Sequence, residues 1–176
     1  GYEIFDGANP EKADAEVFSL VNEALSGIQV RIATGDIGIL MAAVKSLSTT
    51  DTRKKALLRH IWRPHRFRTL LNQYSGLSSK LKPNQDLEGY NKLLDKFQAV
   101  GSRKVQEIKE RLRQIKFESE TDPIDPEEVK ILDELLLLKD RCTVAHDKLE
   151  NLLKKMPGIK TTVDNFAKRL NFLAKN

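Results

Sequence analysis

An all-α protein, an elongated bundle of five to seven helices with long antiparallel members, is the fold this sequence predicts, on three observations. Leu, Lys, Glu and Ala are abundant while aromatic residues make up only 6% of the chain, and straight-chain residues lose little rotamer freedom in a helix. Apolar residues recur at spacings of three and four along most of the sequence, the period of a helix with one buried face. Runs of alternating apolar and polar residues, which would announce strands, are nearly absent. With 176 residues and 40% apolar side chains, the chain is sized for one domain with its own core. Residues 1–176 are therefore read as a single helical bundle, with 1–9 as a flexible segment ahead of the first helix.

Asn9-Pro10-Glu11 supplies a cap, a proline at the first helical position and an acid in the first turn. Val17, Phe18, Val21, Ala24, Leu25 and Ile28 come next at helical spacing, predicting a helix from Pro10 to about Ile32 that Thr34-Gly35 ends. Asp36 to Leu47 is almost wholly apolar and predicts a short helix deep in the core. Ser48 to Asp51 is a polar turn that caps the third helix, which must kink or restart at Pro64 because proline lacks an N–H and clashes with the preceding turn. Phe67, Leu70, Tyr74, Leu77 and Leu81 continue as a seam, closed by Lys82-Pro83-Asn84.

Leu87, Tyr90, Leu94, Phe97, Val105, Ile108, Leu112 and Ile115 predict a long helix from Asp86 to about Lys116, with Gly101-Ser102 as its weak point. FESETDPID, 117–125, reads as an acidic loop. Asp125-Pro126-Glu127-Glu128 repeats the opening pattern of the first helix. Beyond it Ile131, Leu135, Leu138, Cys142, Ala145, Leu149, Leu152 and Met156 are separated by four and three residues in strict alternation, a heptad seam. Leu132, Leu136, Leu137, Val144 and Leu153 widen the stripe, which favours an antiparallel bundle. The seam is open to burial within the chain or against a second copy, a homodimer through 131–156. Pro157-Gly158 ends this helix, and Thr162 to Lys175 forms a last one through Val163, Phe166, Leu170 and Leu173.

Catalytic, cofactor and metal sites are not expected. His60, His65 and His146 do not form the i, i+4 pair that a helical zinc site uses. The single cysteine, Cys142, cannot close an intramolecular disulfide, and its seam position predicts a buried, inert thiol. Gly35 and Gly38 lack the strand and lysine of a phosphate-binding loop. No apolar run approaches the roughly eighteen residues of a membrane span. The expected protein is a non-enzymatic one of the cytoplasm, with a peripheral place at a membrane as the variant.

Charge is distributed unevenly. RKKALLRHIWRPHRFR, Arg53 to Arg68, holds seven lysines and arginines and no acid. Nine Lys or Arg and no Asp or Glu lie between Thr52 and Gln85, against a net charge of +5 for the whole chain, so the remainder sums to −4. On a continuous helix Lys55, Arg59, Arg63 and Arg66 fall within about 80° of one another, while Leu57, Leu58 and Ile61 face away. Arg53, Lys54, Lys55, Arg59, Arg63, Arg66 and Arg68 are the expected partner-binding residues. Trp62 beside them is either a core residue at helical spacing from Leu58 or an anchor at a membrane or protein interface. An acidic protein surface and an anionic, phosphoinositide-bearing membrane both fit the ridge. Nucleic acid fits poorly, because no aromatic platform or recognition-helix signature accompanies the patch. Lys154, Lys155, Lys160, Lys168 and Arg169 could extend the surface. The alternative is a structural coiled-coil module whose ridge is neutralised from within, notably by acids of the stretch Glu118 to Glu128.

Five segments in order resemble the Rac-binding fold of the CYRI proteins and, more distantly, the CYFIP subunits of the WAVE complex. They are FDGANPEKADAEVFSLVNEAL at 5–25, Trp62 with QYSGLSSKL at 73–81, PNQDLEGYNKLLDKF at 83–97, LDELL at 132–136 and FAKRLNFLA at 166–174. The resemblance implies an all-helical regulator of actin assembly that binds a small GTPase. That family contacts the GTPase through adjacent arginines on the helix after the segment similar to LDELL, where this chain reads His146-Asp147-Lys148-Leu149-Glu150.

Overall fold

Ile37–Ser46, the most apolar helix of the chain, is the piece the others are built around. The computed structural model describes residues 2–5, 7–30, 32–77, 89 and 105–174. Among the described residues the secondary structure is entirely helical. In chain order α1 is Pro10–Ala24, α2 Ile37–Ser46, α3 Asp51–Arg59 and α4 Pro64–Tyr74. Then come α5 Val105–Glu120, α6 Pro126–Leu137, α7 Cys142–Lys155, a 3-10 turn at Pro157–Ile159, and α8 Lys160–Leu173. Eight α-helices among the described residues exceed the five to seven expected.

Helix α2 starts where Asp36 accepts from the Gly38 N–H at 2.7 Å, satisfying one of the donors a helix start leaves over. It buries Ile39, Leu40, Ala43 and Val44 and packs on α3, α6, α8 and the 3-10 turn. Around it close Leu47, Leu57, Phe67, Leu71, Ile124 and Leu132, all essentially inaccessible to solvent. Each such side chain contributes about 1.5–3 kcal/mol through removal of apolar surface from water. Helix α1 packs chiefly along α8. Arg169 on α8 ties the two by donating to Asp14 at 3.0 Å and to Asp36, which fixes the α2 start as well. Arg169 is thereby committed to the fold and is not part of a free cationic surface.

The chain breaks its helices more often than the apolar periodicity implies. Helix α1 ends at Ala24, short of Ile32, and leaves Leu25, Ile28, Val30 and Ile32 exposed. The long helix expected from Pro126 to Met156 is two helices: Leu138 turns to an extended conformation (φ −66°, ψ 107°) and α7 begins at Cys142. No proline or glycine causes this interruption. A continuous rod would carry half of its apolar stripe past the core, whereas the break lets Val129, Ile131 and Leu132 of α6 and Leu149 and Leu152 of α7 join one core cluster. Packing overrides local propensity. Cys142, expected to be buried in the seam, lies exposed at the new helix start.

At the other acidic segment the deviation is opposite. Helix α5 continues to Glu120, so only Thr121–Asp125 of the predicted 117–125 loop is non-helical. The positions Leu81 to Asn84, the helix expected from Asp86 as far as 104, and its weak point at Gly101-Ser102 lie outside the described residues, Gly89 excepted.

Candidate docking surface

The basic stretch is folded into a corner. Thr50 caps α3 by accepting from the Arg53 N–H, and α3 ends at Arg59. His60 to Arg63 form a tight turn, with Ile61 N–H donating to Leu58 at 3.3 Å and Arg63 N–H to His60 at 2.8 Å. Pro64 forces the restart. The residue before a proline is pushed out of the helical region, and Arg63 sits at φ −125°, ψ 82°. Pro64 then opens α4, whose first donor is missing at no cost because it would have been unpaired there.

Trp62 lies in this turn and is 74% exposed, while Ile61 beside it is buried. Even on an unbroken helix Trp62 would fall about 20° from Lys55 and about 40° from Leu58, at the border between the ridge and the core face. Trp62, Arg63, Pro64, His65 and Arg66 are exposed in succession, so this part of the chain is open to solvent. Of the two readings of Trp62, the core reading is overturned.

The expected binding residues divide into three groups. Arg53 is interior, 4% exposed. Its Nε donates to Glu118 at 2.8 Å, Nη1 to the Asp122 carbonyl at 2.7 Å, and Nη2 to the carbonyls of Glu118 and Thr121 at 3.1 and 3.3 Å. The guanidinium also lies 5.1 Å from the centre of the Tyr74 ring, within cation–π range. Arg53 is thus a cap on the C-terminus of α5, where a cation meets the negative end of the helix dipole and unpaired carbonyls. It is a structural residue and not a docking one. Arg68 forms the second group, exposed but paired with Asp133 at 2.7 Å. The third group consists of Lys54, Lys55, Arg59, Arg63 and Arg66. Among the described residues none of these has a carboxylate within 4.0 Å, and all but Lys54 are exposed. The acids of 118–128 neutralise Arg53 and no other member of the ridge; Glu128 accepts instead from the Ser48 N–H at 2.9 and 3.1 Å.

Two features of the corner are electrostatically unusual. Arg63 and Arg66 stand at the N-terminus of α4, whose N-cap makes no side-chain hydrogen bond. Cations at the positive end of a helix are disfavoured by the macrodipole, and an anion placed there would relieve both. Tyr74 at the other end of α4 has its hydroxyl pushed above the ordinary value of 10.0, first by burial and then by the Glu118 carboxylate, while Arg53, Arg66 and Arg111 pull the other way. The Nδ1 atom of His60 is buried without a hydrogen-bond partner among the described residues.

Elsewhere, a cleft of about 250 Å³ opens between α1, α8 and the start of α2, with Phe18, Phe166 and Leu173 on its walls and the Arg169 ion pairs on its rim. Among the described residues no helix is long and apolar enough to cross a membrane. Among the described residues the fold is all-α, and the α3–α4 corner is a cationic surface that carries an exposed tryptophan. Comparison with protein-family models, curated proteins and solved structures finds no match to the chain.

Proposed function

We propose that this chain is a non-enzymatic docking protein with a regulatory role, engaging an anionic partner through the α3–α4 corner. One observation carries the reading: Lys55, Arg59, Arg63 and Arg66 are exposed around an exposed Trp62, with no carboxylate partner among the described residues. Unpaired arginines beside an exposed tryptophan have the composition of an interaction hot spot, and no ion pair among the described residues accounts for them. An acidic protein surface is the first class of partner. The resemblance to the CYRI and CYFIP fold supports a small GTPase linked to the actin cytoskeleton as its form, within an elongated bundle. An anionic membrane is the second, favoured by the exposure of Trp62. Self-association through 131–156 would have to draw on Leu137 and Val144, since Ile131, Ala145, Leu149, Leu152 and Met156 are buried within the chain.

Retention on immobilised polyglutamate tests the docking reading. The wild-type protein is expected to elute only with added salt, because exposed charges are screened, and the Lys55→Glu, Arg59→Glu, Arg63→Glu, Arg66→Glu variant to elute without it. Equal retention of the two would contradict the reading. Titration with a Rac-type GTPase in its GTP-bound form tests the narrower identity, for which the wild type binds and the quadruple variant does not.

A further inference from the structure

Resting on the docking reading, we infer that the corner's partner is the anionic leaflet of a lipid bilayer, with Trp62 as the element that enters the headgroup layer and Lys55, Arg59, Arg63 and Arg66 as its electrostatic contacts. Three observations favour a bilayer over a folded protein. The first is exposure. Residues 62 to 66 are exposed in succession, and such a continuous exposed run can meet a soft fluid plane without a complementary pocket.

The second is the order of residue types along this run. Trp62 lies between Arg59 and Arg63, with Arg66 one turn further on. Tryptophan settles at the level of lipid headgroups because its ring is apolar and its N–H polar, and arginines on either side are then at the height of the phosphates, which their planar forks grip in pairs. The third is the helix start beneath them. The uncapped N-terminus of α4 carries Arg63 and Arg66 where the dipole disfavours cations, and a phosphate there would be held by backbone N–H groups and guanidinium together. Lysines and arginines of this kind each raise binding to a charged leaflet about fivefold.

The full chain is mixed with phosphatidylcholine vesicles, with and without phosphatidylserine, and sedimented. Trp62 is the sole tryptophan, so its fluorescence reports this site alone. Expected is sedimentation with the phosphatidylserine vesicles only, together with a blue shift of the emission and quenching by acyl-chain-brominated lipid. The Arg59→Gln, Arg63→Gln variant is expected to lose about fivefold in partitioning per charge removed, and Trp62→Ala to bind less at every salt concentration. Thermal melts establish that both variants fold. Failure to sediment, or sedimentation with unshifted Trp62 emission and undiminished binding by Trp62→Ala, overturns the assignment. Polyglutamate retention separates the two levels. If the column holds the wild type and not the quadruple variant while the vesicles hold neither, the lipid assignment falls and protein docking stands. If neither support holds the wild type, both fall.

Discussion

Arg53 belongs to the most basic stretch of the chain and yet does the least basic work in it. Its guanidinium meets the Glu118 carboxylate, three carbonyls at the end of α5 and the Tyr74 ring, so it joins α3, α4 and α5 at one point. Replacing it by alanine leaves a half-buried carboxylate and several carbonyls unpaired. A loss of about 3 kcal/mol in urea unfolding is expected, with little recovery in Arg53→Lys, whose ammonium cannot span four acceptors. Part of this is legible in the sequence: Arg53 precedes Leu57 by one turn, on the inward face, while Lys55 and Arg59 do not. Its hydrogen-bond partners, 65 and more residues away, are not. Tyr74 shares the site and has a pH signature. Its pKa is raised above 10.0 by burial first, so the fold favours the neutral phenol. The resulting contribution to stability is complete below that ordinary value and is lost as pH climbs past it. Urea unfolding at stepped alkaline pH is expected to show a shallower decline for Tyr74→Phe than for wild type.

At the scale of elements, the sequence is a good guide wherever a break has a local cause. Pro64 announces the α3–α4 corner, and Asp125-Pro126 announces the start of α6, where Asp125 accepts from the Glu127 N–H at 2.7 Å. The interruption between Leu138 and Arg141 has no such marker, because it is produced by what α6 and α7 pack against. The heptad seam is real as a list of largely inward-facing residues and misleading as a sign of one rod. Extension of α5 to Glu120 has the same long-range origin in the Arg53 cap. One close approach is written in a single residue: a Cβ on Gly158 would lie 2.8 Å from Ser46 Cβ at the end of α2. Gly158→Ala therefore forces the 3-10 turn away from the central helix. A loss of about 1–3 kcal/mol is expected from thermal or urea unfolding, the range of overpacking changes; an unchanged midpoint would mean that this contact is looser than described.

For the whole molecule, what matters is where charge is left over after the fold has used what it needs. Arg53, Arg68 and Arg169 are spent on Glu118, Asp133 and the pair Asp14 and Asp36, while the α3–α4 corner keeps its cations unanswered among the described residues. Sequence alone locates this surplus, because nine cations without an acid between Thr52 and Gln85 cannot all be matched nearby. Which of them the distant acids claim depends on tertiary contacts. The corner is consequently both smaller than the basic stretch and more sharply defined, a cationic rim of Lys55, Arg59, Arg63 and Arg66 around one indole.

Collisional quenching of the lone tryptophan by iodide, set against quenching by neutral acrylamide, measures that arrangement most directly. An exposed indole among unpaired arginines is expected to emit as in water and to be quenched by iodide more efficiently in the folded protein than in urea, since the local positive potential concentrates the anion. The excess should vanish in the Lys55→Glu, Arg59→Glu, Arg63→Glu, Arg66→Glu variant. A blue-shifted emission that iodide barely reaches would place Trp62 inside the molecule and contradict the account.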